Sequence, residues 1–361
     1  MTLFAGRKRF RNFTVYSHPA RCYAPDARNR EETPSMRPVK FNVGLPNGEF
    51  HNLSAFARRA EELGYYSVSL DDHFFMRGLM ADPALPHLEC YTTLAAIAAQ
   101  TRQVKIVPLV TAMSYRNPAL LAKMMATLDN ISGGRFIAGI GAGWFKEEYG
   151  AYNFPYPSNA ERIEQMAEGL KILKAMWSQD EPTFHGRYFA IDKAYSFPRP
   201  VQKPHPPILI GGGGKRILQI AGEEADILNL NPPVLEGFVD ITRALKFDKS
   251  EVKRRIEMMQ GFAEAAGRKD AVELSAMSFV LTAKEKSVAD AMVTATAQAF
   301  GINDVEVARS SPQVLVGTID EVKRELAWRI ENLGMTYFFL NFMAQDTMEL
   351  FAKEVMPEFT R

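Results

Sequence analysis

The chain has 361 residues, of which 47% are hydrophobic and 24% charged, and its formal net charge is +1. This composition is typical of a globular protein with a large core. It gives no sign of a nucleic-acid surface, and no apolar run reaches the roughly 18 residues that a membrane span needs. The two cysteines, Cys22 and Cys90, have no disulfide or metal-site spacing, which favours a cytoplasmic location.

The first 36 residues differ from the rest. Residues 1–38 hold eight Lys/Arg and three Asp/Glu (+5), and the remainder holds 35 and 39 (−4). Residues 1–36 show neither a sustained apolar period nor the apolar segment of a secretory signal. We expect these residues to be a disordered basic extension, or to lie upstream of a natural first residue at Met36. A functional basic arm is the alternative. Residues 37–361 are expected to form a single domain.

The first half of that domain alternates apolar runs with segments of helical spacing. Predicted strands lie at 41–45, 66–70 and 104–111, and a fourth is the run 135–144, which ends in glycines. Predicted helices lie between them at 53–63, 91–101 and 118–131, the first ending at Gly64 and the last beginning at Pro118.

The second half continues the alternation after a helix at 161–177. Residues 182–207 are rich in proline, glycine and aromatics and predict a hairpin within an extended excursion. Strands are then predicted at 207–214, 225–230, 274–281 and 337–342. The accompanying helices are predicted from 215 to 221, as two amphipathic segments up to Gly267, at 319–333 and at 344–354.

Eight buried apolar strands that alternate with helices predict parallel βα units with both faces covered. Eight such units favour an α/β fold of the closed (β/α)8 TIM-barrel type over an open sheet. The site is then expected at the carboxyl ends of the strands, where the residues after each apolar run meet.

Two glycine clusters follow predicted strands. Gly139, Gly141 and Gly143 resemble part of a dinucleotide fingerprint, but Trp144 and Phe145 stand where its last glycine is needed, and several βα units already precede them. The second cluster opens a helix and suits a phosphate, because bare amides and the helix dipole favour an anion there. Its members are Gly211, Gly212, Gly213, Gly214 and the cation Lys215. A tight turn explains one or two of these glycines but not four in a row.

Asp72 and His73 follow the second predicted strand. His73 can donate a proton or bond a cofactor edge, with a capping role as the alternative, and a cap is expected for at least one of Asp71 and Asp72. No metal site is predicted, because too few ligands converge. Pro108 removes an amide from the third strand and predicts a bulge. Glu147 and Glu148 are expected to be a solvated helix start.

Taken together, these residues resemble the luciferase-like oxidoreductase superfamily. The resemblance rests on five segments in family order, at 72–74, 115–123, 127–135, 139–144 and 210–214. It implies a barrel that binds FMN or the deazaflavin F420, with a non-proline cis peptide in a bulge at 109–113 behind the ring. Among family members, the chain looks most like the F420-dependent branch, except that Trp144 stands where some sugar-phosphate dehydrogenases have Glu.

The resemblance implies F420-dependent hydride transfer to or from a small organic molecule. FMN-dependent monooxygenation with oxygen is the first alternative, and a non-catalytic flavin- or deazaflavin-binding protein is the second. A homodimer is expected, with no nucleic-acid or membrane partner. The expected catalytic residues are His73 and Asp72, and Trp144 and Phe74 are expected to line the substrate pocket. The expected cofactor contacts are Val110, Thr111, Ala112, Met113, Gly139, Gly141, Gly143, Gly211, Gly212, Gly213, Gly214 and Lys215.

Overall fold

The computed structural model of the protein describes residues 37–76, 82–234, 237, 244, 247–299, 302 and 304–360. The extension expected at 1–36 lies outside these residues, as does most of the first of the two amphipathic helices expected before Gly267. None of the helices in the described ranges is both long and apolar enough to cross a membrane.

The described strands follow the predicted runs closely. They are β1 Lys40–Gly44, β2 Ser67–Leu70, β3 Lys105–Pro108, β4 Thr111–Ala112, β5 Ala138–Gly141, β6 Phe184–His185, β7 Ala190–Ile191, β8 Ile208–Gly211, β9 Ile227–Leu230, β10 Glu273–Ala283, β11 Val314–Thr318 and β12 Met335–Phe342.

The strands β1, β2, β3 with β4, β5, β8, β9, β10 and β12 form the eight positions of a parallel barrel. Their order is β3-β2-β1-β12-β10-β9-β8-β5-β4, and a bridge between Ile106 and Phe136 links β3 to the start of β5. The sheet is therefore nearly closed, and the predicted (β/α)8 barrel is confirmed.

The described helices surround this barrel. They are α1 Phe50–Glu62, α2 Cys90–Gln100, α3 Pro118–Ser132, α4 Lys146–Ala151, α5 Asn159–Ser178, α6 Lys215–Glu224, α7 Lys249–Ala265, α8 Lys286–Ala299, α9 Val305–Ser310, α10 Ile319–Leu333, α11 Gln345–Glu354 and α12 Met356–Phe359, with a 3-10 helix at Met113–Tyr115. Local sequence explains several ends: Asn117 caps α3 ahead of Pro118, and Gly334 ends α10 in the left-handed conformation.

The strands contribute to two separate core clusters, because successive side chains of a strand face opposite sides. The larger part lies between the strands and the helices. The smaller part fills the barrel interior, as in a packed TIM barrel, and comprises Val107, Ile137, Leu209, Ile227, Tyr337 and Phe339. Leu109 and Val110 pack on this inner cluster and stay partly exposed, so they lie at an open end of the interior.

The third strand is irregular, as Pro108 predicts. The peptide between Leu109 and Val110 is cis, and it separates β3 from the two residues of β4. The non-proline cis peptide that the family resemblance implies for 109–113 is therefore present.

The excursion contains the expected hairpin, in which β6 pairs with β7. One strand was not predicted. β10 pairs with β9 through its first residues and with β11 from Phe279 onward, so that β11 extends the sheet beyond the end of β9. The segment Val314–Thr318 contains three apolar residues, but it lies outside the eight regular βα units that predict the barrel.

Candidate functional site

Three side chains from different barrel units meet at the carboxyl end of the barrel. His73 follows β2, Tyr115 ends the 3-10 helix after β4, and Glu148 lies in α4 after β5. The Nδ1 atom of His73 is 2.7 Å from one carboxylate oxygen of Glu148, and the Tyr115 hydroxyl donates to that same oxygen at 2.8 Å. The other oxygen accepts from the backbone amides of Phe74 and Phe75.

The position of Glu148 contradicts the expected solvated helix start. Its side chain is 0% exposed, whereas that of His73 is 15% exposed. Glu147, the preceding residue on α4, is exposed. The sequence does not distinguish which of two adjacent glutamates at the start of a short helix is buried. The direction in which α4 runs over the barrel end decides it.

The two partners shift each other's pKa values. Burial alone would lower the pKa of His73, but its hydrogen bond to Glu148 and the nearby charge of Asp71 raise it above its ordinary value. Burial alone would raise the pKa of Glu148, but His73 and the donors around it lower it. Both shifts favour a charged pair, imidazolium with carboxylate, near neutral pH.

Two aromatic rings border His73. The rings of Trp144 and Phe145 meet its imidazole edge-on, at centroid distances of 5.5 and 5.9 Å. The backbone on either side of the Trp144 α-carbon is fixed, because Arg162 donates to the Gly143 carbonyl and Tyr156 donates to the Trp144 carbonyl. The expected pocket residue Trp144 therefore lies beside His73 in a fixed position.

Phe74 is placed differently from Trp144. Its ring stacks on Tyr152 at 4.4 Å and packs against Tyr115 and Phe154, within a cluster of aromatic side chains. Tyr152 is half exposed, so this cluster reaches the surface. Phe74 packs against residues next to α4, the helix that carries Glu148, and its place in a substrate pocket stays a prediction.

Asp72 forms an anchor at the end of β2, and its expected catalytic role stays a prediction. Arg116 donates to both of its carboxylate oxygens, at 2.6 and 2.8 Å, and the Ala112 amide donates to one of them at 3.0 Å. Arg116 also bonds Glu89, which caps α2. With its oxygens occupied, Asp72 ties the end of β2 to the irregular third strand.

The expected cofactor contacts at 110–113 separate into one accessible and three buried residues. Val110 is partly exposed at the open end of the barrel. Thr111 is buried, and its hydroxyl lies 2.7 Å from that of Tyr91. Ala112 and Met113 are also buried, and the Met113 side chain occupies the space beside Gly169 of α5. The side chains of Thr111, Ala112 and Met113 therefore belong to the core, and contact of this segment with a cofactor stays a prediction.

The glycines of the first cluster have packing reasons in the chain itself. A β-carbon on Gly139 would lie 1.9 Å from the Pro108 carbonyl oxygen, and one on Gly141 would lie 2.7 Å from Val110. Gly143 has φ +79°, and a β-carbon there would meet the Tyr149 hydroxyl at 1.9 Å. These three glycines leave room for the irregular third strand and for the Tyr149 side chain. Their contact with a cofactor ring stays a prediction.

The second glycine cluster is more varied. A β-carbon on Gly211 would approach Val110, and one on Gly213 would lie 2.2 Å from the Asn231 carbonyl oxygen, while Gly212 has φ +138°. Gly214 is different, because a β-carbon there would meet nothing within 4 Å in the described part of the chain. It precedes α6 without a side-chain cap, and Lys215, the first residue of α6, is exposed.

Comparison with known proteins agrees with this architecture. The model of the luciferase-like monooxygenase family matches residues 32–332. The chain belongs to the luciferase-like monooxygenase family. The family resemblance inferred from its glycine and Asp-His segments is confirmed, and the chain is an oxidoreductase of a family whose members depend on F420 or FMN.

The relatives of this luciferase-like protein include both cofactor types. The FMNH(2)-dependent dimethylsulfone monooxygenase of Pseudomonas putida is 28% identical over 278 residues, 77% of this chain and 68% of that protein. The F420-dependent glucose-6-phosphate dehydrogenase of Amycolatopsis mediterranei is 32% identical over 179 residues, 48% of this chain. That match spans about half (51%) of the dehydrogenase.

Among solved structures, the F420-dependent tetrahydromethanopterin reductase of Methanopyrus kandleri has the same fold. It superposes with a TM-score of 0.73 and 20% identity, over 90% of this chain and all of the reductase. At this identity the likeness concerns the barrel alone.

The role given to Asp72 predicts a stability effect. We expect Asp72→Asn to lower the free energy of unfolding by about 3 kcal/mol, because it leaves the buried Arg116 without its main partner. Asp71→Asn is the matched control: its side chain is 37% exposed and bonds His87, so we expect a loss of about 1 kcal/mol. Urea unfolding at neutral pH measures both, and equal losses would refute the anchoring role.

Proposed function

We propose that this protein is an F420-dependent oxidoreductase that exchanges a hydride with a small organic substrate. The observation that carries the proposal is His73, a partly exposed imidazole held by a buried carboxylate beside Trp144 at the carboxyl end of the barrel. In a TIM barrel this end is where active sites lie. The resemblance of the sequence to the F420-dependent branch favours F420 as the cofactor.

The residues at this end of the barrel fit a flat ring attached to a phosphate. Leu109 and Val110 offer a partly exposed apolar surface behind the ring position. The uncapped start of α6 offers free amides, and Gly214 leaves open space in front of them. Lys215 adds a positive charge at the same helix start.

The chemistry divides between cofactor and protein. Deazaflavin, when bound, gives or takes a hydride. His73 handles the accompanying proton: its imidazolium gives a proton to the substrate oxygen in reduction, and the neutral ring takes one in oxidation. Trp144 and Phe145 border the imidazole with apolar surface, which limits the access of water.

FMN-dependent monooxygenation is the second candidate. It is favoured by the extent of the match to the dimethylsulfone monooxygenase, which covers 77% of this chain and far exceeds the match to the glucose-6-phosphate dehydrogenase. The same apolar surface and helix start would hold FMN, whose phosphate is terminal.

Binding measurements distinguish the two candidates. We expect the purified protein to bind F420 more tightly than FMN, as followed by the absorbance and fluorescence of each cofactor during titration. Turnover with stoichiometric loss of hydride from reduced F420 would support the proposal and exclude a non-catalytic binding protein. Tight binding of FMN with no detectable affinity for F420 would overturn it in favour of the monooxygenase.

The role of His73 predicts a loss of rate. We expect His73→Ala to reduce turnover by about 10²-fold or more, because proton transfer then depends on water. The dissociation constant of the cofactor should change little, and fluorescence titration measures it independently of the rate. Equal losses of affinity and turnover would show that His73 serves binding instead.

The phosphate position predicts a loss of affinity. We expect Gly214→Val to weaken cofactor binding at least about tenfold, because its side chain enters the open space before α6. The fold should tolerate the change, since a β-carbon there would meet no other atom within 4 Å among the residues that the structure describes, its chain neighbours aside. Gly261→Val in α7 is the control, because its β-carbon is equally unobstructed. Unchanged affinity in Gly214→Val would refute this phosphate position.

A further inference from the structure

Glu148 is the one carboxylate that hydrogen-bonds the imidazole of His73 among the residues that the structure describes. We propose that Glu148 is a positioning residue that holds the proton of neutral His73 on Nδ1 and so leaves Nε2 free to exchange a proton with the substrate. The assignment of the substrate as the proton's partner rests on the proposed function. The tautomer and charge of His73 follow from the protein alone.

The geometry specifies which nitrogen carries the proton. The Nδ1 atom faces a carboxylate oxygen at 2.7 Å, and a carboxylate near neutral pH accepts hydrogen bonds only, so Nδ1 must donate. Nε2 forms no hydrogen bond within the described part of the chain. Neutral His73 therefore has a proton on Nδ1 and a lone pair on Nε2, and the imidazolium has an N–H at both positions.

Glu148 is itself held so that it cannot turn away. Its first oxygen accepts from two consecutive backbone amides, those of Phe74 and Phe75. Its second oxygen is shared between His73 and the Tyr115 hydroxyl. The carboxylate thereby links the segment after β2, the 3-10 helix and α4, and the imidazole is oriented by three elements of the barrel end.

Other charged groups surround His73 and act less directly. Asp71 and Asp72 adjoin it in the chain; Asp71 bonds His87, and Asp72 is neutralised by Arg116, which also bonds Glu89. From the 3-10 helix the neutral Tyr115 faces the pair, and from the loop before α4 the uncharged Trp144 and Phe145 do. Loss of the charge of Glu148 should therefore have the largest effect on His73.

The test is an NMR titration of the cofactor-free protein with labelled histidines. His73 is identified among the six histidines by its absence in His73→Gln. In the unaltered protein we expect His73 to titrate above its ordinary value of 6.5, with the neutral ring protonated on Nδ1. Nitrogen chemical shifts distinguish the two tautomers directly.

Glu148→Gln should change both properties. We expect the pKa of His73 to fall by at least about one unit, because the charge that favours imidazolium is lost. The carbonyl of the new amide can accept from the Phe74 amide, which turns its NH2 group toward His73 and moves the imidazole proton to Nε2. Glu147→Gln removes the same charge from the exposed neighbour and should leave the His73 titration unchanged.

Tyr115→Phe supplies an effect of opposite sign and covers the case in which Glu148→Gln does not fold. Without the hydroxyl that shares its oxygen, Glu148 becomes a better acceptor, so the pKa of His73 should rise. An unchanged tautomer and pKa in Glu148→Gln, or a fall in Tyr115→Phe, would overturn the positioning role. A general loosening of the site would not shift the pKa of His73 in opposite directions in Glu148→Gln and Tyr115→Phe.

Activity then separates this inference from the proposed function. If His73 transfers the proton, the pH dependence of kcat should move to lower pH in Glu148→Gln together with the NMR titration. If the NMR changes occur and the pH dependence of turnover stays where it was, Glu148 does position His73 but the proposed role of His73 in turnover is wrong.

Discussion

The buried carboxylate of Glu148 is the constraint on which the candidate site depends. A fully buried carboxylate is costly unless charge and hydrogen bonds compensate for the lost water, and here His73, Tyr115 and two backbone amides do so. Together with Glu148 itself, these partners come from three successive units of the barrel. The position of His73 is therefore tied to the correct assembly of the barrel end and not only to its own strand.

The irregular third strand is the second constraint, and much of the glycine pattern follows from it. The chain turns at Leu109 and Val110, which brings the Pro108 carbonyl against Gly139 and the Val110 side chain against Gly141 and Gly211. The residues after this turn are held by Asp72, which accepts hydrogen bonds from the Ala112 amide and from Arg116. Glycines that resemble a nucleotide fingerprint thus serve first to pack one strand against its neighbours, and they leave an apolar surface at the open end of the barrel.

The sequence predicts the barrel well because its signals are local. Runs such as those at 136–140 and 208–210 are continuously apolar, as is typical of buried parallel strands, and Pro118 and Gly334 mark helix ends through their own backbone preferences. Pro108 predicts the irregularity in β3 for the same kind of reason. β11 was not predicted because it lies outside the repeating unit, and its only local signal is the three apolar residues Val314, Leu315 and Val316.

The sequence by itself determined the eight-unit barrel, the family and the candidacy of His73, since each rests on periodicity or on a short ordered motif. Only the tertiary structure decided that Glu148, not Glu147, is buried against His73, that Asp72 anchors Arg116, and that Thr111, Ala112 and Met113 face the core. The roles of Glu148 and Asp72 depend on contacts between residues 40 to 75 positions apart. Burial and charge pairing are properties of such contacts, and no single segment of the chain contains them.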